Sequence, residues 1–281
     1  EYDNYVRPFT IQERLMHIME AKRRLGSSIT WLADTMDNDY HVLMGMTPNS
    51  EMVIDPDGIV VARRAWSDPA ALRADLERIV GPVDNETQVS DLDLPAQEPI
   101  GTVAKGIVPR VQRPEGMMPM NVAPVLETSR APFYTKLRVE GTQDLYETGS
   151  GTLYLGFHLD PLYRVHWNNE APPMQYEITA PDGVSITPVK GTGAHPEEKA
   201  DADPREFLLE VSADEPGKEF SIEVRYYACD DALTFCVPVK QQYQVAMSQN
   251  WSHGWTMPTD PDGTVSWGTP PPRDKIIPRP E

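Results

Sequence analysis

Cysteine is almost absent: the chain of 281 residues holds only two, Cys229 and Cys236. No His/Cys zinc cluster, phosphate-binding loop, Gly-x-Ser-x-Gly elbow or internal repeat is found either, which removes the enzyme classes those motifs mark. Basic residues number 25 against 43 acidic ones. The formal net charge of −18 argues against nucleic acid, whose phosphates demand basic patches, and against an anionic membrane surface. No apolar run approaches the roughly 18 residues of a transmembrane helix. A signal-peptide pattern is missing and the first residues, Glu1-Tyr2-Asp3, include no initiator methionine, so the chain reads as a processed or truncated product.

Proline and glycine are plentiful, at 28 and 18, and imply many turns and an extended linker. Hydrophobic residues at 40% and charged ones at 24% are those of a globular protein, and the length suits two domains. Strands are expected to outnumber helices. Extracytoplasmic exposure is the simplest account of the acidity.

The two cysteines sit between two alternating segments. Phe220, Ile222, Val224 and Tyr226 share one face of a period-2 run, with Ser221, Glu223 and Arg225 on the other; Val237, Val239, Tyr243 and Val245 mark the next strand. A hairpin would bring the cysteines within disulfide range. As a staple, a loop of about eight residues contributes roughly 2 to 3 kcal/mol, modest where a large core is available without it. Structural and redox-active roles both stay open on this ground. Asp230 and Asp231 would raise a nearby thiol's pKa, and which cysteine attacks cannot be read.

The run Tyr226-Tyr227-Ala228-Cys229 to Phe235-Cys236-Val237-Pro238 resembles the active-site hairpin of the amino-terminal domain of DsbD-type thiol:disulfide interchange reductases. Gly156-Phe157-His158 and Pro181-Asp182-Gly183 are compatible with that domain. The resemblance implies an immunoglobulin-like fold over roughly residues 130 to 248, a redox pair at Cys229 and Cys236, and aromatic shielding by Tyr226, Tyr227 and Phe235, with Pro238 completing the motif.

At the other end, Thr10-Ile11-Gln12-Glu13 has capping-box form, and Ile11, Leu15, Ile18, Met19 and Leu25 repeat at helical spacing up to Gly26. Ser28 to Ala33 is a short strand candidate, followed by a short helix to Gly45. Met52-Val53-Ile54, Asp55-Pro56-Asp57-Gly58 and Ile59-Val60-Val61 predict a β-hairpin, and Asp68-Pro69 opens a last helix stopped by Gly81-Pro82. Thr10-x-x-Glu13-Arg14, Asp34-x-Met36-Asp37-Asn38, Pro48-Asn49 and Ile54-Asp55-x-Asp57-Gly58 resemble the iodothyronine-deiodinase-like branch of the thioredoxin-like proteins. That resemblance implies the carboxy-terminal half of a thioredoxin fold over residues 1–82, with Thr47-Pro48 at its cis-proline position. The reactive residue of that family would lie upstream of Glu1, so a missing upstream half or another subunit is an expected partner.

Residues 83–130, acidic and then punctuated by proline, are expected to be a linker. Met117-Met118-Pro119-Met120, or His41 with Met44 and Met46, offers soft copper ligands, but methionine more often packs, and no metal or cofactor is assigned. Short alternating segments from Leu137 to Val245, within a domain set at residues 131–248, predict an antiparallel sandwich. His158 and His166 are expected at polar surface or edge positions, and Gly191 to Pro204 in an exposed loop. Residues 249–281, with Trp251, Trp255, Trp267 and Pro270-Pro271-Pro272, read as a tail that wraps over a surface.

Together these imply a two-domain α+β protein: a partial thioredoxin-like α/β unit and an antiparallel immunoglobulin-like sandwich. The expected function is a periplasmic or secreted thiol:disulfide oxidoreductase or electron relay acting on a redox partner protein through Cys229 and Cys236. The alternative is a non-catalytic assembly subunit whose disulfide is structural. A reachable sulfur beside aromatic residues favours the first, and a buried disulfide without a cleft the second.

Overall fold

Thr10 and Glu13 open α1 (Ile11–Arg24) in the computed structural model, which describes residues 8–44, 49–92, 104–126, 131–230, 232 and 234–250. The Thr10 hydroxyl accepts the Glu13 amide at 3.2 Å, and the Glu13 carboxylate takes the amide of Phe9 at 2.6 Å, one residue earlier than the expected capping box. Among the described residues, 8–17 and 104–250 belong to one unit and 18–92 to another.

The smaller unit contains α2 (Asp39–Leu43), the hairpin β1 (Glu51–Ile54) and β2 (Val60–Arg64), and α3 (Pro69–Val80). Asp55 accepts the amides of Asp57 and Ile59, and Gly58 supplies the positive φ of 81° that the reversal requires. Asp68 caps α3 through the amides of Ala70 and Ala71, and Gly81 closes it. Ser28 to Ala33 is not a strand: no neighbour pairs with it among the described residues, and Ile29 and Leu32 stand exposed. Val53 is the one buried apolar residue among those described here, while Met19, Leu25, Tyr40, Ile54 and Trp66 are exposed. Thr47 and Pro48 lie outside the described residues.

The larger unit is mostly antiparallel β-sheet, with the first turns of α1, a further short helix (Gln143–Thr148) and a 3-10 turn at Pro161–Tyr163. Its elements are β3 (Met118–Pro124), β4 (Thr135–Gly141), α4 (Gln143–Thr148), β5 (Ser150–Leu159), β6 (Val165–Asn168), β7 (Gln175–Thr179) and β8 (Val184–Thr187), then β9 (Lys190–Thr192), β10 (Ala200–Asp201), β11 (Arg205–Ala213), β12 (Glu219–Asp230) and β13 (Cys236–Gln249). The strands pair in the order β10-β6-β12-β13-β3-β4-β5-β11-β8, with β7 also on β12 and β9 on β7. At β3 the path turns over: Met118 and Pro119 pair with β4, whereas Val122 to Pro124 pair with β13. The two resulting layers face each other. Tyr176 of β7 packs on Phe157 of β5 and Phe207 of β11 with ring centroids 6.2 and 4.7 Å apart, and the Tyr243 hydroxyl of β13 donates to the Thr135 carbonyl of β4 at 2.5 Å.

Two expectations are corrected here. The stretch to residue 130 is not a linker throughout, because Met118, Met120 and Val122 alternate inward and β3 completes the sheet path; Met120 is buried in the core, so this methionine run serves packing. Gly191 to Pro204 is not an exposed loop throughout: His195, Glu197, Glu198 and Lys199 are exposed, but Gly191 and Thr192 belong to β9, Ala200 and Asp201 form β10, and residues 201–204 are buried. The two buried acids are paired: Arg205 holds both carboxylate oxygens of Asp201 at 2.8 Å, and Asp203 accepts the amides of Lys105, Gly106 and Val108 at 2.5, 3.0 and 2.7 Å.

Candidate functional site at the cysteine hairpin

Cys229 is the last residue but one of β12 and Cys236 begins β13, and the ladder sets them directly opposite each other, with Cα atoms 4.0 Å apart and a disulfide between them. Strand parity fixes their face. Phe220, Ile222, Val224, Tyr226 and Ala228 enter the core, so Cys229 points to the opposite, outer face with Tyr227 and Arg225. The two sulfur-bearing residues differ in access: Cys229 is 4% exposed, whereas Cys236 is exposed to solvent.

The loop between them is closed by Asp230. Its carboxylate accepts the amide and hydroxyl of Thr234 and the amide of Phe235, at 2.6, 2.5 and 3.0 Å. The Thr234 hydrogen bond, above all, lowers the Asp230 pKa, so this acid is ionised and spent on the turn. Asp231 lies outside the described residues. The Phe235 ring stacks on Tyr134 at 6.1 Å, and Tyr134 meets Tyr163 edge-on at 5.1 Å. Tyr227 and Pro238 are cross-strand partners on the outer face, two steps along the ladder from the disulfide.

Tyr226 does not shield the pair. It faces the core, with its ring 5.4 Å from Trp167, its hydroxyl donating to Gln241 at 2.8 Å and accepting the Thr135 amide at 3.2 Å. The alternation of β12 already carried this signal, because Tyr226 and Cys229 fall on opposite parity.

Strand β6 supplies two residues that local sequence could not reveal as neighbours of the cysteines. His166 pairs opposite Cys229, and the Asn168 side-chain amide donates to the Cys236 sulfur at 3.3 Å. The Asn168 carbonyl oxygen accepts the Glu170 amide at 2.8 Å, which sets which end of the carboxamide meets the sulfur.

A second group of ionisable residues lies deeper. Glu13 of α1 and Lys136 of β4, each 3% exposed, form an ion pair, joined by the Tyr163 hydroxyl on Glu13 at 2.8 Å and by Asp160 at 3.9 Å from the lysine. Burial pulls the Lys136 pKa down, with Glu13 and Asp160 opposing. His17 approaches Asp160 at 3.5 Å. Nothing in the sequence pattern separates Lys136 from an ordinary surface lysine. His158 is not the polar surface residue expected: its Nε2 is buried without a hydrogen-bond partner, and burial pushes its pKa down to about 4, leaving the ring neutral near pH 7.

Among the described residues, no three His, Cys, Asp or Glu side chains converge on a metal-sized site, and no helix is long and apolar enough to cross a membrane. No protein-family model, curated protein or solved structure matches the chain.

Proposed function

We propose that the protein is an extracytoplasmic thiol:disulfide oxidoreductase or electron relay, periplasmic or secreted, acting through Cys229 and Cys236. The observation that supports this reading is the asymmetry of the pair: an exposed Cys236, with Tyr227 on the same outer face, and a buried Cys229. A partner thiolate attacks the Cys236 sulfur; the bond to Cys229 breaks, a mixed disulfide with Cys236 forms, and the electron pair leaves on the Cys229 sulfur, which takes a proton from solvent. A second partner thiolate then attacks the partner's own sulfur in that mixed disulfide, releasing Cys236. Two electrons have moved from a partner dithiol to the pair. The reverse sequence reduces a partner disulfide, with Cys236 attacking and Cys229 resolving. The larger unit is read as a DsbD-like, immunoglobulin-like sandwich and the smaller as the carboxy-terminal half of a deiodinase-like thioredoxin unit. No cofactor is needed for the exchange.

The test is the reduction potential of the pair, by equilibration in glutathione or dithiothreitol buffers with thiol trapping. A value of roughly −120 to −270 mV supports exchange, and one below about −300 mV makes the disulfide a staple. The second reading, a non-catalytic assembly subunit, is favoured by the uncovered apolar side chains of residues 18–92, among them Met19, Leu32 and Trp66. Such a unit calls for a covering polypeptide, either an upstream thioredoxin half or another subunit. A staple-like potential would leave that reading standing.

A further inference from the structure

We infer that Asn168 is a positioning residue whose side-chain amide holds the Cys236 sulfur as the attacking thiolate. This rests on the exchange reading above and adds what that reading lacks, a physical reason for one cysteine to be the nucleophile.

The arrangement is specific to one sulfur. Asn168 reaches from β6 across the outer face, and its Nδ2 lies 3.3 Å from Cys236 Sγ. Cys229 is the buried member of the pair. The Asn168 carboxamide is not free to turn, since its Oδ1 is engaged by the Glu170 amide at 2.8 Å and its backbone pairs with Ala200 of β10. An N–H aimed at a divalent sulfur is a weak bond. Once the disulfide opens and the sulfur carries charge, the same N–H becomes a charge-assisted donor that needs no reorganisation. Cys229, by contrast, is 4% exposed, and burial disfavours a charged sulfur.

The other ionisable groups on this face include Cys229, Tyr227 and Arg225 of β12 and His166 of β6, with Asp230 at the turn; Arg225 is paired with Glu223 at 2.7 Å. Asp230 is tied to Thr234 and Phe235, and Lys240, farther along β13, is paired with Glu223 at 2.7 Å. Asn168 is the group seen to donate to the Cys236 sulfur, from a side chain held at its other end.

The experiment measures alkylation of the reduced full chain by iodoacetamide as a function of pH, with the labelled cysteine identified by mass spectrometry. Three proteins are compared: the parent, Asn168→Ala and Asn168→Asp. Asn168→Asp keeps the acceptor for Glu170 and replaces the donor by a negative charge, so it preserves the turn and serves as the decisive variant if Asn168→Ala unfolds. In the parent, Cys236 is expected to label first, with a midpoint below the ordinary thiol value of about 8.5. Asn168→Asp should raise that midpoint by about one to two pH units and slow labelling at pH 7 by about tenfold or more, while leaving the Cys229 midpoint in place. Unchanged Cys236 midpoints, or Cys229 labelling first in the parent, overturn the inference. Because labelling requires no partner protein, it is separable from the potential measurement: a potential below about −300 mV removes the exchange reading whatever the alkylation profile shows.

Discussion

The buried pair between Glu13 and Lys136 gives the sharpest test of how the first turn of α1 is held within the larger unit. Both side chains are 3% exposed, so removing one charge leaves the other without water. Breaking such a pair one-sidedly costs about 3 to 5 kcal/mol, whereas replacing both members by apolar groups is near neutral or favourable. After Lys136→Met, Glu13 keeps the Phe9 amide at 2.6 Å and the Tyr163 hydroxyl at 2.8 Å, which places the expected loss at the lower end, about 3 kcal/mol. After Glu13→Gln, Lys136 keeps Asp160 at 3.9 Å and the faces of Phe9 and Tyr163 at 4.7 and 5.6 Å, none of them a close charge partner, and the loss should be at least as large. The double variant Glu13→Leu/Lys136→Met removes both charges together. It should lose less than the sum of the two single losses by about 2 kcal/mol or more. Urea unfolding monitored by far-UV circular dichroism provides the free energies through the midpoint and slope. Single losses under about 0.5 kcal/mol, or a strictly additive double variant, would refute the reasoning, because either would place the pair in solvent.

Two further outcomes follow from groups described above. Burial pushes the Glu206 pKa up, but the Arg110 guanidinium, the Tyr154 hydroxyl and the Val111 amide together hold it down at about 2, against 4.5 for the free group. A depressed acid contributes fully above its unfolded value and is lost as pH falls through its folded one. At about 1.4 kcal/mol per unit, discounted because Arg110 is half in solvent, wild type should lose about 2 kcal/mol more than Glu206→Gln between pH 4.5 and 2; parallel acid-unfolding limbs would disprove the coupling. Tyr226→Phe leaves the Thr135 amide and the Gln241 carbonyl oxygen without their buried partner and should cost about 1 to 3 kcal/mol in thermal or urea unfolding. Because Tyr226 faces away from the sulfurs, the reduction potential should stay where it is, and a shift would return Tyr226 to the redox site.

Local rules carried the reading where the structure is local. The Asp57-Gly58 reversal, the Asp68-Pro69 helix start and the alternation of Phe220 to Tyr226 all depend on residues a few positions apart, and all are present. Ser28 to Ala33 has the composition of a strand but no described neighbour to pair with, and a strand exists only as half of a ladder. Met118 to Pro124 failed in the opposite sense: prolines at 119 and 124 read as linker, yet they sit at the ends of a strand whose partners come from β4 and β13. The buried charges of Asp201, Asp203 and Arg205 were invisible because their composition is that of a solvated loop, and only pairing across distant segments makes burial tolerable. Half of the candidate site was legible, since the cysteines and their hairpin are contiguous. Asn168 was not, because nothing in its own neighbourhood encodes the register of β6 against β12.

The turnover at β3 has a consequence for the order in which the protein can be made. Val122 waits beside an empty edge until Val245, its partner, has been synthesised, so β13, the last of the described strands, is the one that seals the two layers. A nascent chain halted before β13 presents that edge to any other strand nearby, the situation in which mispairing and aggregation begin. Cys229 and Cys236, by contrast, leave the ribosome almost together, and their hairpin can form before the seal is made. The sealing strand thus starts from a register already set at its first residue.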